Sequence, residues 1–171
     1  FQTFTSFFGK PRLLPAILFM LFYRFSEAQL LAMVPPFLTG PREGGGLAMS
    51  IQQVGFAYGT FGVTGIILGG ISGGMLVARD GLRRWYWPLI AGINLPNSAY
   101  LVLAITQPTN LYIISTALFL EQFGYGFGFT AYMLFLMYFS LGYQRTSHYA
   151  LCTGFMALSL MIPQMVSGYL K

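Results

Sequence analysis

The stretch Gly65-Ile66-Ile67-Leu68-Gly69-Gly70-Ile71-Ser72-Gly73-Gly74-Met75-Leu76-Val77-Ala78-Arg79-Asp80-Gly81-Leu82-Arg83-Arg84 decides the fold. From Ser50 to Ala78 no residue is charged. Such a run exceeds the roughly 20 residues a helix needs to cross a hydrocarbon core about 30 Å thick. Its glycines recur four apart, as Gly55/Gly59, Gly65/Gly69, Gly69/Gly73 and Gly70/Gly74. In lipid that spacing lets helix backbones approach closely, so these glycines read as packing positions. The run ends abruptly at Arg79-Asp80-Gly81-Leu82-Arg83-Arg84, a tight basic loop. A membrane span followed by a short charged turn is the local reading.

Composition extends that reading to the whole chain. Of 171 residues, 56% are hydrophobic and 8% charged, with a net charge of +5. A soluble domain is about a quarter charged. This chain has too few charges to cover a soluble globule, which excludes a soluble enzyme, and too much apolar sequence for a disordered tail. The bases are scattered among apolar runs, which fits a membrane protein and not a nucleic-acid module. The lone Cys152 excludes a disulfide framework and a Cys-rich metal site, and reads as a small packing residue. No metal and no cofactor is expected.

Five spans are expected, at about 11–34, 50–78, 85–105, 111–139 and 148–170. An aromatic lead-in precedes the first, and Pro35-Pro36 is expected to end it. The third contains Asn94 and Pro96, a predicted kink. The fifth carries Pro163 and Gln164 and begins near His148, which reads as a solvated helix-start residue. The chain starts at Phe1 and stops soon after apolar sequence, so it is expected to be part of a longer protein. Lys10, Arg12, Arg79, Arg83, Arg84 and Arg145 fall on one side of the membrane, Arg42 and Lys171 on the other. The positive-inside rule makes the first side cytoplasmic.

Charges within spans are costly, about 2.5–3.5 kcal/mol each near the bilayer centre on insertion scales, and point to function. Arg24 and Glu27 lie three apart on one face of the first span. Glu121, followed by Gln122, lies roughly 15 Å into the fourth. All three ionisable residues are near the midplane by depth, where they are expected to share a polar cavity. Glu121, Tyr125, Gly128 and Tyr132 follow helical spacing, giving one face with a carboxylate, two phenols and a gap. A carboxylate that alternately meets and leaves a cation binds and releases a proton. The competing reading is structural: Arg24 and Glu27 neutralise each other, and Glu121 is simply hydrogen-bonded. Gly124-x-Gly126-x-Gly128 lies inside an apolar helix with no preceding strand, so it is not a dinucleotide loop.

The segment Gly74 to Arg84 resembles the signature loop of the major facilitator superfamily, G-x-x-x-D-R-x-G-R-R. Ala78 stands at the usual acid, Asp80 follows the arginine and Leu82 is inserted before the arginine pair. The role implied for Gly74, Arg79, Asp80, Gly81, Arg83 and Arg84 is a charged latch between helix ends. The longer stretch from Glu121 through Tyr132 and Tyr138 to Thr146-Ser147-His148-Tyr149-Ala150-Leu151 looks like the AmpG muropeptide permease family, nearest to Bacteroides-like versions. That resemblance implies an all-α membrane fold, with these spans equivalent to helices 7–11 of a twelve-helix carrier. Helices 7 and 10, bearing Arg24, Glu27 and Glu121, would line its cavity. It implies a multi-pass protein of the bacterial inner membrane that takes up anhydro-muropeptides with protons by alternating access. Its partners would be an amino-sugar peptide substrate, protons, the bilayer and the N-terminal half of the same chain. Arg24 would bind a substrate carboxylate, Glu27 or Glu121 the proton, and Tyr125 and Tyr132 the sugar. The alternatives are a carrier for a sugar, drug-like compound or organic anion, and a non-transporting sensor or scaffold. A membrane-embedded enzyme lacks a midplane Asp pair or His cluster in this sequence.

Overall fold

The apolar runs fold into helices in this computed structural model, which describes residues 2–167; no strand occurs among those residues. The order is α1 (Gln2–Phe8), α2 (Leu13–Phe22) and α3 (Phe25–Thr39), then α4 (Ile51–Phe56). A π-helical turn, Ala57–Gly62, joins α4 to α5 (Val63–Asp80). α6 (Leu82–Asn94) passes through a 3-10 turn, Leu95–Asn97, into α7 (Ser98–Thr106). α8 (Leu111–Ser140) and α9 (Arg145–Ser167) follow. The expected end of the fifth span and Lys171 lie outside the described residues.

Taken through their irregular turns, Leu13–Thr39, Ile51–Asp80 and Leu82–Thr106 are long and apolar enough to cross a membrane. α8 has 30 residues and α9 has 23. At 1.5 Å per residue both are longer than the roughly 30 Å core, but among the described residues the combination of length and apolarity is met by the three stretches above and not by these two. Leu14, Phe22, Ile71, Met75, Leu101 and Ile105 are exposed. In water such a surface is a liability; against lipid it is the ordinary outer face of a span. The protein is all-α, multi-pass and compatible with a major facilitator-like helical half.

Two expectations about helix ends need correction. Pro35 and Pro36 do not end the first span, because α3 continues to Thr39. Each proline removes a donor but leaves its own carbonyl, and the Thr39 hydroxyl donates to the Pro35 carbonyl at 2.9 Å. The interruption falls instead at Tyr23–Arg24, between α2 and α3. The kink expected at Pro96 is present as the 3-10 turn, where proline denies a donor to the Gly92 carbonyl.

The chain divides into two compact units, Met33–Ala131 and Phe1–Ala32 with Tyr132–Lys171. In the first, glycines set the packing. A methyl group at Gly65 would sit 2.6 Å from the Phe119 carbonyl oxygen, and one at Gly73 2.8 Å from that of Phe127. One at Gly69 would collide with the Phe123 carbonyl. Glycines of α8 do the reverse. Gly126 abuts the Ile66 carbonyl of α5, while Gly124 abuts the Gly92 carbonyl and Pro96. A methyl group at Gly128 would lie 2.6 Å from the Leu89 carbonyl oxygen of α6. Gly124-x-Gly126-x-Gly128 therefore presents bare backbone to α5 on one side and α6 on the other. The gap expected at Gly128 is filled by Ile93 and the Leu89 backbone, because only glycine lets α6 come that close.

In the second unit α1 and α2 pack against α9. Phe7 is fully buried, with its ring near those of Phe139, His148 and Phe155. Lys10 donates to the carbonyls of Phe139 and Leu141, capping the end of α8. His148 is not solvated, contrary to its expected place. It is 4% exposed, with Nε2 3.0 Å from the Ser6 hydroxyl, because α1 lies over the start of α9.

Gly69→Ala and Gly126→Ala are expected to destabilise the fold by about 1–3 kcal/mol through overpacking. Gly55→Ala and Gly74→Ala, where an added methyl group meets nothing within 4 Å, are expected to be neutral or to raise the melting temperature. Thermal unfolding in detergent distinguishes the two pairs.

Candidate functional site

Arg24 and Glu27 lie in the unit built from Phe1–Ala32 and Tyr132–Lys171. The break between α2 and α3 places Arg24 at the junction and Glu27 in the first turn of α3. A carboxylate is favoured there by the helix dipole. Arg24 Nε donates to Glu27 Oε2 at 2.8 Å and Nη2 to Oε1 at 2.6 Å, a bidentate pair. Both residues are buried. Tyr132 lies within electrostatic reach of the pair. Its hydroxyl donates to the Met20 carbonyl at 2.8 Å, near the end of α2, and its ring stacks on Tyr23 at 5.1 Å. Tyr132 is fully buried, so its expected place on an open ligand face is corrected: it closes the α2–α3 break.

Glu121 lies in the other unit and is 8% exposed. Its Oε2 accepts from the Tyr100 hydroxyl at 3.2 Å and from Gln122 Nε2 at 2.9 Å. The Tyr100 hydroxyl is 3.0 Å from that of Tyr58. Tyr58 belongs to the π-helical turn and Tyr100 to α7, so three helical stretches meet at one carboxylate. Single-turn π bulges in α-helices are frequent at functional sites. Tyr125 is half-buried and stacks on Phe129. Tyr58 and Tyr100 escaped the sequence reading, which followed residues along α8 alone. Counting depth from the same membrane side on each span would have placed both beside Glu121.

The signature loop is compressed to one residue between helices. Gly81 takes φ 83°, ψ 151°, a conformation essentially restricted to glycine, and α6 starts at the next residue. Asp80 accepts from Trp85 Nε1 at 2.9 Å, with Arg79 and Arg84 nitrogens 3.7 and 3.8 Å away. Arg79, Arg83 and Arg84 are exposed, and a methyl group added at Gly74 would meet nothing within 4 Å. Asp80 thus ties the end of α5 to the first turns of α6.

With the fold, the buried carboxylates and this loop described, sequence comparison adds its part. The chain is similar to anhydromuropeptide permeases. It is 27% identical over 166 residues to the anhydromuropeptide permease of Escherichia coli (strain K12), covering 96% of this chain and 32% of that protein. The permease of Escherichia coli O157:H7 matches equally. A Rickettsia prowazekii (strain Madrid E) relative bearing the AmpG name is 26% identical over 156 residues, 90% of this chain and 33% of its own. The chain therefore spans about a third of the length of the curated relatives it matches. No family model and no solved structure matches it.

Arg24→Met is expected to destabilise the protein by about 3–5 kcal/mol, since Glu27 loses its bidentate donor while buried. Arg24→Met with Glu27→Leu is expected to recover most of that loss; unfolding of both variants in detergent measures it. Gly81→Ala is expected to lower stability by about 1–3 kcal/mol, measured the same way.

Proposed function

We propose that this chain is part of a proton-coupled carrier of the bacterial inner membrane that takes up anhydro-muropeptides or related cell-wall products by alternating access. On this reading its five spans stand for helices 7–11 of a twelve-helix carrier, completed by an N-terminal half. The names of the relatives support transport and its substrate class, and permeases are not enzymes.

The observation that carries the coupling is Glu121. A buried carboxylate deep in an apolar span is expensive and calls for a function. Two groups bonded to it, Tyr100 and Gln122, are neutral and accommodate it with or without a proton. Glu27 is engaged by Arg24 and is assigned to holding that guanidinium. Arg24 is assigned to the substrate carboxylate and Tyr125 to the sugar. Asp80, Gly81 and the neighbouring arginines are the cytoplasmic latch of one conformation.

The test is uptake of labelled anhydro-muropeptide into membrane vesicles carrying the protein expressed from its complete reading frame, under an imposed proton gradient. Wild-type protein is expected to accumulate label, and Glu121→Gln to fall to the level of vesicles lacking the carrier. Normal uptake by both Glu121→Gln and Glu27→Gln would sink the coupling. Uptake of a sugar or organic anion in place of the muropeptide would keep the carrier and replace its substrate.

A further inference from the structure

The chain Tyr58–Tyr100–Glu121 has a direction. Tyr100 has one hydroxyl proton and donates it to Glu121 Oε2 at 3.2 Å. Its oxygen therefore accepts from Tyr58 across 3.0 Å. Tyr58 is half-buried, whereas Tyr100 and Glu121 are buried. The chain thus runs from a half-buried phenol to a buried carboxylate, all within the Met33–Ala131 unit.

It also has a side. Tyr58 is about 12 Å from the start of its span at Ser50, Tyr100 about 9 Å from the end of α7, and Glu121 about 15 Å from the start of α8. Those three helix ends share one side of the unit. Arg42 donates to the carbonyls of Gln107 and Pro108 at 2.9 and 3.0 Å, and Gln107 to that of Gly45 at 2.8 Å, joining the two loops there. The loop holding Arg79, Arg83 and Arg84 is at the opposite ends of the same helices. By the positive-inside rule the tyrosines lie toward the outer side.

Resting on the transport reading above, we propose that Tyr58 and Tyr100 form a proton relay that loads Glu121 from the outer aqueous phase. A hydronium ion gives its proton to the Tyr58 oxygen as the Tyr58 O–H bond breaks. The proton released from Tyr58 bonds to the Tyr100 oxygen as the original Tyr100 O–H bond breaks, and the proton released there bonds to Glu121 Oε2. Water is released, both phenols end neutral with their hydroxyls reversed, and Glu121 gains the one proton. Among the titratable groups facing this carboxylate are the relay tyrosines, Tyr100 from α7 and Tyr58 from the π-helical turn. The π-helical turn holds the entry phenol at the head of the chain.

The experiment uses the same vesicles, oriented right side out, and measures two rates for labelled anhydro-muropeptide. One is uptake driven by a proton gradient; the other is counterflow against unlabelled substrate, which needs no net proton movement. Tyr58→Phe and Tyr100→Phe are each expected to lower the ratio of driven uptake to counterflow at least about tenfold. They are also expected to shift driven uptake to lower external pH. In a Glu121→Gln background Tyr58→Phe is expected to lower the ratio no further, as coupled residues do. Tyr58→Phe leaves the Tyr100–Glu121 bond in place and so separates relay from packing if Tyr100→Phe does not fold. Wild-type ratios and an unchanged external-pH profile in both variants overturn the relay and leave the carrier standing. Equal losses of uptake and counterflow also overturn it, assigning the tyrosines to packing. Neither rate in wild-type vesicles overturns the transport reading and the relay with it.

Discussion

Lipid gives a helix no hydrophobic reason to pack on another helix, since its tails are as apolar as leucine. Association must come from close contact, and the closest contact is backbone on backbone. α8 meets this constraint with Gly124, Gly126 and Gly128, and α5 with Gly65, Gly69 and Gly73. Each lacks the methyl group that would otherwise strike a facing carbonyl or ring. The arrangement of α5, α6 and α8 within their unit follows, and with it the position of Glu121 beside the π-helical turn.

The same solvent governs the polar side chains. Hydroxyls in the spans turn back on their own helix, as Thr64 does to Thr60, Thr106 to Val102 and Thr116 to Tyr112. Each bond satisfies a donor that lipid cannot. Where a helix breaks, a distant side chain intervenes: the Tyr132 hydroxyl serves the Met20 carbonyl near the end of α2. At the end of α8, the Lys10 ammonium donates to the carbonyls of Phe139 and Leu141. Irregular backbone here is tolerated where the protein itself supplies the partner.

This explains which features were readable from sequence. The Gly65/Gly69/Gly73 spacing announced a packing face because periodicity is local, and Pro96 announced its turn because proline acts on its own helix. The turn at Arg79–Arg84 was visible as a run of charge between apolar stretches, but its contraction to Gly81 alone was not. α3 continues past Pro35-Pro36 to Thr39, so the local rule for proline misled. His148 looked solvated because nothing near it in sequence reveals that Ser6 and Phe7 cover it. Tyr58 and Tyr100 were missed for the same reason: their place beside Glu121 comes from three helical stretches converging. The carboxylates announced themselves singly; their partners did not.

Those partners make the two intramembrane carboxylates chemically unlike. Protonating Glu27 would strip Arg24 of its bidentate acceptor, weakening a charge-assisted pair in a low-dielectric interior where such pairs are strong. Protonating Glu121 removes a charge from the interior, and two groups bonded to it, Tyr100 and Gln122, are neutral and can act as donors or acceptors. Tyr100 can reverse its hydroxyl, and Tyr58 can reverse in turn, so the network stays bonded in both charge states. The Arg24–Glu27 pair is suited to keep its charges, because protonating the carboxylate would undo both of its bonds.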